Sequence, residues 1–250
     1  MTDAILAAER VSKRFGGILA LSEVSFEVQA GEIFGIIGPN GAGKTTLFGC
    51  LVGALKPTSG AIRFLGERID RLAPYEVVAR GVVRTHQIVR PFREMTVREN
   101  VAVGAAFGAG RRRGPEADDS VSYILHRTRL EARADVLAGT LTIGELKRLE
   151  IARALAAEPS VLCLDEVMGG LNPSEIHDMM DFIRSLKADG TTILIIEHHV
   201  HAVVGLSDRI LVLNFGEKIA EGPPTAVMKD PAVVTAYLGA EAPVAPGGVP

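Results

Sequence analysis

Residues 38–46 read GPNGAGKTT and place three glycines, one lysine and two threonines in nine positions. So much glycine weakens a helix or a strand, because glycine loses more backbone freedom on folding than other residues do. The stretch nevertheless lies between an apolar run, EIFGIIG, and a helical pattern, TTLFGCLVGALKP. The order of strand, glycine-rich loop and helix predicts that this loop has a binding role in an α/β fold.

This loop, called the phosphate loop below, fits the pattern G-x-x-x-x-G-K-[ST]. Its N–H groups can surround phosphate oxygens, and the following helix adds its positive N-terminal dipole. Lys44 is predicted to reach the β- and γ-phosphates, and the Thr45 hydroxyl to bind Mg²⁺. A plain glycine-rich turn is the alternative, which the flanking strand and helix disfavour. The predicted ATP-binding residues here are Gly38, Pro39, Asn40, Gly41, Ala42, Gly43, Lys44, Thr45 and Thr46.

A second apolar run, VLCLDE, ends in two acids. Acids are common where an ordinary strand leaves for a loop, and that is the alternative interpretation. With a phosphate loop in the same chain, Asp165 is predicted to hold Mg²⁺ through its water shell, and Glu166 to polarise an attacking water. The prediction assigns the metal to Asp165 and the catalytic base to Glu166.

The composition excludes several classes of function. Lys and Arg number 27 against 30 Asp and Glu, so no basic footprint for nucleic acid is present. Cys50 and Cys163 lie among apolar neighbours and are predicted to be reduced core thiols of a cytosolic protein, since no secretory signal precedes them. No apolar run reaches the roughly 18 residues that a transmembrane helix requires, so the chain is not expected to span a membrane.

The pattern along the chain predicts three parts. The first third reads as short strands, including LSEVSFEVQA and GAIRFLGERI. The middle reads as helices up to Pro159, and the last part alternates two buried parallel strands, SVLCLDE and TTILIIEH, with a helix over 174–188. A single final strand, RILVLNFGEKIAEG, is predicted next, and the last ten residues, 241–250, are predicted to be a disordered tail.

The motifs together resemble the ATP-binding subunit of an ABC transporter. The phosphate loop, LTIGE (141–145, the signature segment), VLCLDE and the later EH occur in the order of that family, and the resemblance covers residues 5–240. It implies a P-loop NTPase core with an N-terminal antiparallel β subdomain and an inserted α-helical subdomain at about 88–158. It also implies ATP and Mg²⁺ as cofactors.

The resemblance assigns further site residues. Phe15 matches the aromatic residue that stacks on adenine, with a core phenylalanine as the alternative. Gln87 matches the glutamine that senses Mg²⁺, and His198 matches the histidine that contacts the γ-phosphate as part of the catalytic set with Glu166 and Lys44. A lone histidine after a strand is otherwise usually structural.

The signature segment usually reads leucine-serine-glycine-glycine-glutamine, and this chain departs from it. Thr142 keeps a hydroxyl for the γ-phosphate and Gly144 keeps the close backbone approach. Ile143 would be costly if the backbone had a positive φ there, and Glu145 would bring an acid near a triphosphate. Two further departures are Val167, where a proline usually follows the base, and Asn172, where many members carry aspartate.

A finer resemblance is to importers of branched-chain amino acids and related small carboxylates, carried by RFGG, FREMTVREN, RLEIARAL and LSDRILVLNFGEKIAEG. It implies integral-membrane permease subunits, a second ATP-binding subunit of the same or a sister kind, and indirectly a solute-binding protein as partners. The implied location is the cytoplasmic face of the inner membrane. The permease is expected to contact residues 88–95, through Arg90 and Phe92, with a buried Phe92 as the alternative.

Two other functions remain open at this point. One is a soluble mechanical ATPase of the DNA-repair or chromosome-organising kind, which the absence of a coiled coil and of a basic face disfavours. The other is a small-molecule phosphotransferase with the same phosphate loop, which would leave the signature segment and His198 unexplained.

Overall fold

A computed structural model of the chain describes residues 4–85, 91–108 and 115–238. The strands are β1 (Leu6–Phe15), β2 (Ile18–Val28), β3 (Ile33–Ile37), β4 (Ser59–Phe64), β5 (Glu67–Arg68), β6 (Val82–Arg84), β7 (Val161–Asp165), β8 (Thr192–Ile196), β9 (Arg209–Asn214) and β10 (Glu217–Gly222). The helices are α1 (Lys44–Leu51), α2 (Pro74–Arg80), α3 (Val97–Phe107), α4 (Pro115–Arg127), α5 (Ile143–Ala156), α6 (Pro173–Ala188), α7 (Val200–Leu206), α8 (Pro224–Val227) and α9 (Pro231–Leu238).

Two sheets carry the fold, and together they confirm the predicted α/β class. The first is antiparallel, with the strand order β2-β1-β4-β5. The second has the order β10-β9-β3-β8-β7-β6, in which every neighbouring pair is parallel except β9 and β10. Strands β3, β7 and β8 are buried over their whole length, which explains their continuous apolar sequence.

The register of the parallel sheet brings distant parts of the sequence to one edge. Asp165 at the end of β7 pairs with Ile196 at the end of β8. Ile36, near the end of β3, pairs with Ile196 from the other side of β8. The loops that leave these three strands therefore meet at the carboxyl edge of the sheet, where α/β proteins bind their ligands.

The helices of the middle third form their own hydrophobic cluster. Its buried members run from Val97 to Ala156 and come from α3, α4, α5 and the turns between them. Helices α3 and α5 each have a threonine as N-cap, Thr96 and Thr142. This cluster corresponds to the predicted helical insertion, whose proposed start at residue 88 lies outside the described residues, as does the predicted tail 241–250.

Two segments that were each predicted to be a single strand form a β-hairpin of two strands instead. The stretch RILVLNFGEKIAEG divides into β9 and β10, because Phe215 and Gly216 both have a positive φ, 46° and 81°, and reverse the chain. GAIRFLGERI divides into β4 and β5 at Leu65 and Gly66 in the same way. The sequence prediction was wrong at both turns, because each contains only one glycine and the apolar residue before it, Leu65 or Phe215, also adopts a positive φ.

Cys50 and Cys163 are both buried and form no disulfide, which agrees with the prediction of core thiols. Burial raises the pKa of the Cys163 thiol to about 12 and that of Cys50 to about 11. Within the described ranges, the helices are too short or too polar to cross a lipid bilayer.

Candidate functional site

The phosphate loop connects β3, which ends at Ile37, with α1, which begins at Lys44. Gly43 has a φ of 99°, and a Cβ atom there would lie 2.7 Å from the carbonyl oxygen of Ala20. At Gly38 a Cβ atom would lie 2.2 Å from the carbonyl oxygen of Leu213. A side chain at either position would collide with backbone, so these two glycines are required for the loop to fit between β2 and β9.

Part of the loop lines a cavity of about 550 Å³ at the carboxyl edge of the parallel sheet. The cavity brings together predicted residues that are far apart in sequence, since Glu166 and His198 line it together with loop residues at least 120 positions earlier. Its lining residues are Ile18, Leu19, Ala20, Asn40, Gly41, Ala42, Gly43, Lys44, Thr45, Thr46, Glu166, His198 and Phe215.

Lys44 is held by the loop itself. Its Nζ donates hydrogen bonds to the carbonyl oxygens of Gly38 at 2.6 Å and Pro39 at 2.9 Å. Burial lowers the pKa of Lys44, and the nearby carboxylate of Glu166 partly offsets this effect. Gly38 and Pro39 are not among the residues that line the cavity, and their carbonyl oxygens hold the lysine side chain.

Glu166 stands at the first position after β7 and has a left-handed backbone, with a φ of 50°. Its carboxylate oxygen Oε1 lies 2.6 Å from Nε2 of His198. Neighbouring side chains on an extended strand point to opposite sides, so Asp165 and Glu166 would diverge if the strand continued. Asp165 stays in the sheet, and the change of backbone conformation at Glu166 lets that side chain line the cavity.

Asp165 is buried and does not line the cavity. Its Oδ2 lies 3.3 Å from Nη2 of Arg84, at the end of the neighbouring strand β6. Burial raises the pKa of Asp165, and the guanidinium of Arg84 opposes that rise. Thr45, in contrast, is exposed at the cavity. A carboxylate and a hydroxyl are hard oxygen donors that fit Mg²⁺, which usually takes only one or two protein ligands beside phosphates and water.

The signature segment lies away from this cavity, at the N-terminus of α5. The hydroxyl of Thr142 caps the helix by accepting from the N–H of Glu145, and the Glu145 carboxylate accepts from the N–H of Thr142 at 2.9 Å. Glu145 also pairs with Arg133 at 2.8 Å. These hydrogen bonds, the backbone one first, lower the pKa of Glu145.

The departures from the usual signature cause no backbone strain. Ile143 is the first residue of α5, has no positive φ and is exposed over 59% of its surface. Gly144 lies close to α6, where a Cβ atom would be 3.2 Å from Oε1 of Glu175. Val167 is buried in the core, and Asn172 caps α6 with its side-chain oxygen.

Phe15 is 46% exposed at the end of β1, so the alternative of a core phenylalanine is wrong. The Nζ of Lys13 lies 5.0 Å from the centre of its ring. Phe15 is not among the residues that line the cavity. Ile18, Leu19 and Phe215 form the apolar rim there, which the sequence did not indicate.

Gln87 and Arg90 lie outside the described residues, so their predicted roles stay predictions. Phe92 is described and is 44% exposed, so it is not a core residue. The guanidinium of Arg153 lies 5.0 Å from the centre of its ring.

Sequence analysis missed three charged residues beside the predicted base. Arg84 pairs with Asp165, Lys147 donates to the carbonyl oxygen of Glu166, and Glu197 accepts from the N–H of Met168 at 2.8 Å. Burial raises the pKa of Glu197 to about 7. Only Glu197 had a signal in the sequence, as the acid directly before His198.

Comparison with known proteins agrees with the geometry. A family profile described as ABC transporter matches residues 21–169, and one described as branched-chain amino acid ATP-binding cassette transporter matches residues 217–243. The chain is 43% identical to the high-affinity branched-chain amino acid transport ATP-binding protein LivG of Salmonella typhimurium, over 96% of this chain and 99% of that protein. It is 41% identical to BraF of Pseudomonas aeruginosa, described in the same words, with the same coverage.

A solved structure gives the same result for the fold. The crystal structure of the ADP conformation of MJ1267, an ATP-binding cassette of an ABC transporter, superposes with a TM-score of 0.87. The two sequences are 36% identical, and the match covers 95% of this chain and all of that one.

Proposed function

This chain belongs to the ABC transporter family, and from that membership we propose that it is the ATP-hydrolysing subunit of an importer for branched-chain amino acids or related small carboxylates. The observation that carries the catalytic part is the single cavity shared by Lys44 of the phosphate loop and the Glu166–His198 pair. The substrate class rests on the LivG and BraF relatives, since an ATPase subunit does not itself contact the transported solute.

The residue roles are part of the proposal. Lys44 and the loop N–H groups hold the phosphates of ATP, and Glu166 accepts the proton of the attacking water. His198 contacts the γ-phosphate and, through its 2.6 Å contact with Glu166, orients that carboxylate. Thr45 and Asp165 would hold Mg²⁺, which neutralises charge that develops on the phosphates during transfer. Phe15, which pairs with the cavity residue Ile18 across β1 and β2, is assigned to stack on the adenine.

The position of the signature segment supports a second ATP-binding subunit as partner. Thr142 and Gly144 lie at the N-terminus of α5, outside the cavity of their own chain, and Thr142 is exposed there. We therefore assign them to the ATP of an apposed subunit, identical or homologous. The Glu145 carboxylate is paired with Arg133 and accepts the capping hydrogen bond from Thr142, and these contacts reduce its repulsion of a nearby phosphate. The comparisons do not favour a mechanical DNA ATPase or a phosphotransferase.

Partners in the membrane complete the proposal. The chain would bind permease subunits at the cytoplasmic face of the inner membrane and work with a solute-binding protein on the other side. Residues 5–240 form the ATP-binding domain, with the helical subdomain from about 88 to 158. The backbone of Phe92 is fixed for docking, because the Asn100 side chain accepts from its N–H at 2.9 Å and donates to its carbonyl oxygen at 3.0 Å.

We expect Phe92→Ala to weaken the association with the permease at least about tenfold, because an aromatic side chain at the centre of an interface often dominates its binding energy. ATP affinity should not change, since Phe92 does not line the cavity. Phe107→Ala is the control, because Phe107 is the last residue of α3 and is exposed over 74% of its surface. Equal permease binding and leucine uptake in both variants would remove Phe92 from the docking site.

The proposed function is tested by co-expression with candidate branched-chain amino acid permease subunits, followed by purification from membranes. The expected result is a complex that, in liposomes with the solute-binding protein, takes up leucine only when ATP and Mg²⁺ are inside the compartment that the ATPase faces. ATP hydrolysis without any permease association, or a complex that moves no small carboxylate, would contradict the proposal.

A further inference from the structure

The backbone around Glu166 is held in an unusual conformation. Glu166 has a φ of 50°, in the left-handed region that residues other than glycine seldom adopt. Such a conformation costs free energy and persists only when surrounding contacts fix it. The next two residues, Val167 and Met168, are buried, so the turn must satisfy its backbone polar groups within the protein.

One fixing contact comes from α5. Only 8% of the surface of Lys147 is exposed, and its Nζ donates a hydrogen bond to the carbonyl oxygen of Glu166 at 2.8 Å. Since α5 also begins with the signature segment, this bond connects that helix directly to the backbone of the proposed base.

The second contact comes from the end of β8. Glu197 is only 2% exposed, and its Oε1 accepts a hydrogen bond from the N–H of Met168 at 2.8 Å. The following residue, His198, reaches the carboxylate of Glu166 at 2.6 Å. Two consecutive residues therefore contact the same short turn. Glu197 accepts from a backbone N–H of the turn, and His198 contacts the side chain of Glu166.

We infer that Glu197 is a positioning residue for ATP hydrolysis, which together with Lys147 holds the left-handed turn that directs the Glu166 carboxylate into the cavity. The inference rests on the proposed function. Glu197 does not line the cavity, so it acts on the reaction through Glu166 and His198. A buried carboxylate is costly to keep, and this one makes a specific hydrogen bond to the base-bearing turn.

Removal of the acceptor should therefore impair catalysis more than binding. In Glu197→Ala, the N–H of Met168 becomes a buried donor without the Glu197 acceptor, and the turn can relax away from its left-handed form. A displacement of about 1 Å in a catalytic group can cost roughly 10²-fold in rate. We expect kcat for ATP to fall about 10- to 100-fold, with KM for ATP changed less than about threefold.

The test compares Glu197→Ala, Glu197→Asp and Glu197→Gln in the assembled transporter. Gln keeps an oxygen acceptor at the same reach and is expected to retain at least about a third of the parent kcat. Asp keeps a carboxyl group but is one methylene shorter, so it should lose rate as Ala does, and it provides a second variant in case Ala does not fold. A rate in the Ala and Asp variants equal to the parent, or in Gln no better than in Ala, would overturn the inference.

A double-variant comparison separates positioning from general loss of structure. With Glu166→Gln already present, Glu197→Ala should cost little further rate, because there is no longer a base to position. An undiminished 10- to 100-fold loss in that background would show that Glu197 acts elsewhere.

Amide hydrogen exchange of Met168 makes the test independent of ATPase activity. Exchange should accelerate at least about tenfold in Glu197→Ala and remain near the parent rate in Glu197→Gln. If the parent complex hydrolysed no ATP, the proposed function would fail, while the exchange measurement would still decide the contact. Unchanged exchange of the Met168 amide in Glu197→Ala would contradict the hydrogen bond between Met168 and Glu197 and the inference that rests on it.

Discussion

Replacing Glu166 by Gln is expected to slow ATP turnover by roughly 10²–10⁴-fold, the usual contribution of a single general base. ATP should still bind, because the amide has nearly the shape of the carboxylate and Lys44 is unchanged. The variant should therefore accumulate in an ATP-bound form, joined to its partner ATP-binding subunit through the trapped nucleotide.

The structure supports this expectation in two ways. Glu166 lines the cavity together with Lys44, and its Oε1 lies 2.6 Å from Nε2 of His198, so the carboxylate is already oriented. Asp165 is next in sequence but is buried against Arg84, which leaves it unsuited to accept a proton from a water in the cavity.

The measurement is steady-state phosphate release by the purified transporter, with ATP binding followed separately. Glu67→Gln is the matched control, since Glu67 lies on β5 and its side chain is 76% exposed. Turnover near the parent rate in Glu166→Gln would exclude Glu166 as the base. Glu145 from the apposed subunit would then be the next acid to replace.

Replacing Lys44 by Ala is expected to weaken ATP binding by about 10²-fold or more. Hydrogen bonds to charged groups are worth about 1.5–3 kcal/mol each, and the lysine is predicted to contact two phosphates. The variant also loses the bonds from Nζ to the carbonyl oxygens of Gly38 and Pro39, which shape the loop before nucleotide binds.

Isothermal titration calorimetry with MgATP measures this effect directly. Carrying out the titration in the Glu166→Gln background prevents hydrolysis from disturbing the binding heat. Lys229→Ala is the matched control, because Lys229 is exposed and does not line the cavity. A dissociation constant within about threefold of the parent would remove Lys44 from its assigned role.

The phosphate loop and the order of the elements followed from the sequence because their determinants are local. At Gly38 and Gly43 a Cβ atom would lie only 2.2 Å and 2.7 Å from a backbone oxygen of another strand. The spacing of glycines in the sequence therefore indicates where such close approaches occur. The apolar runs of β3, β7 and β8 likewise identify strands that are buried on both faces.

The two tight turns, at Leu65–Gly66 and at Phe215–Gly216, were not predicted from the sequence. Phe215 stands at a positive φ in the turn between β9 and β10, and an aromatic residue gives no sign of that conformation. Its place on the cavity rim follows from backbone bonds made across the fold, since the N–H of Gly216 donates to the carbonyl oxygen of Ala42.

The sequence by itself thus determined the family, the phosphate loop and the candidate acids, since each is encoded within a few neighbouring residues. Only the tertiary structure decided which of these groups meet. Glu166 and His198 are adjacent because β7 and β8 pair in parallel with Asp165 opposite Ile196, and Lys147 reaches the same turn from a helix. Strand order and register depend on packing over the whole sheet, so no local pattern contains them.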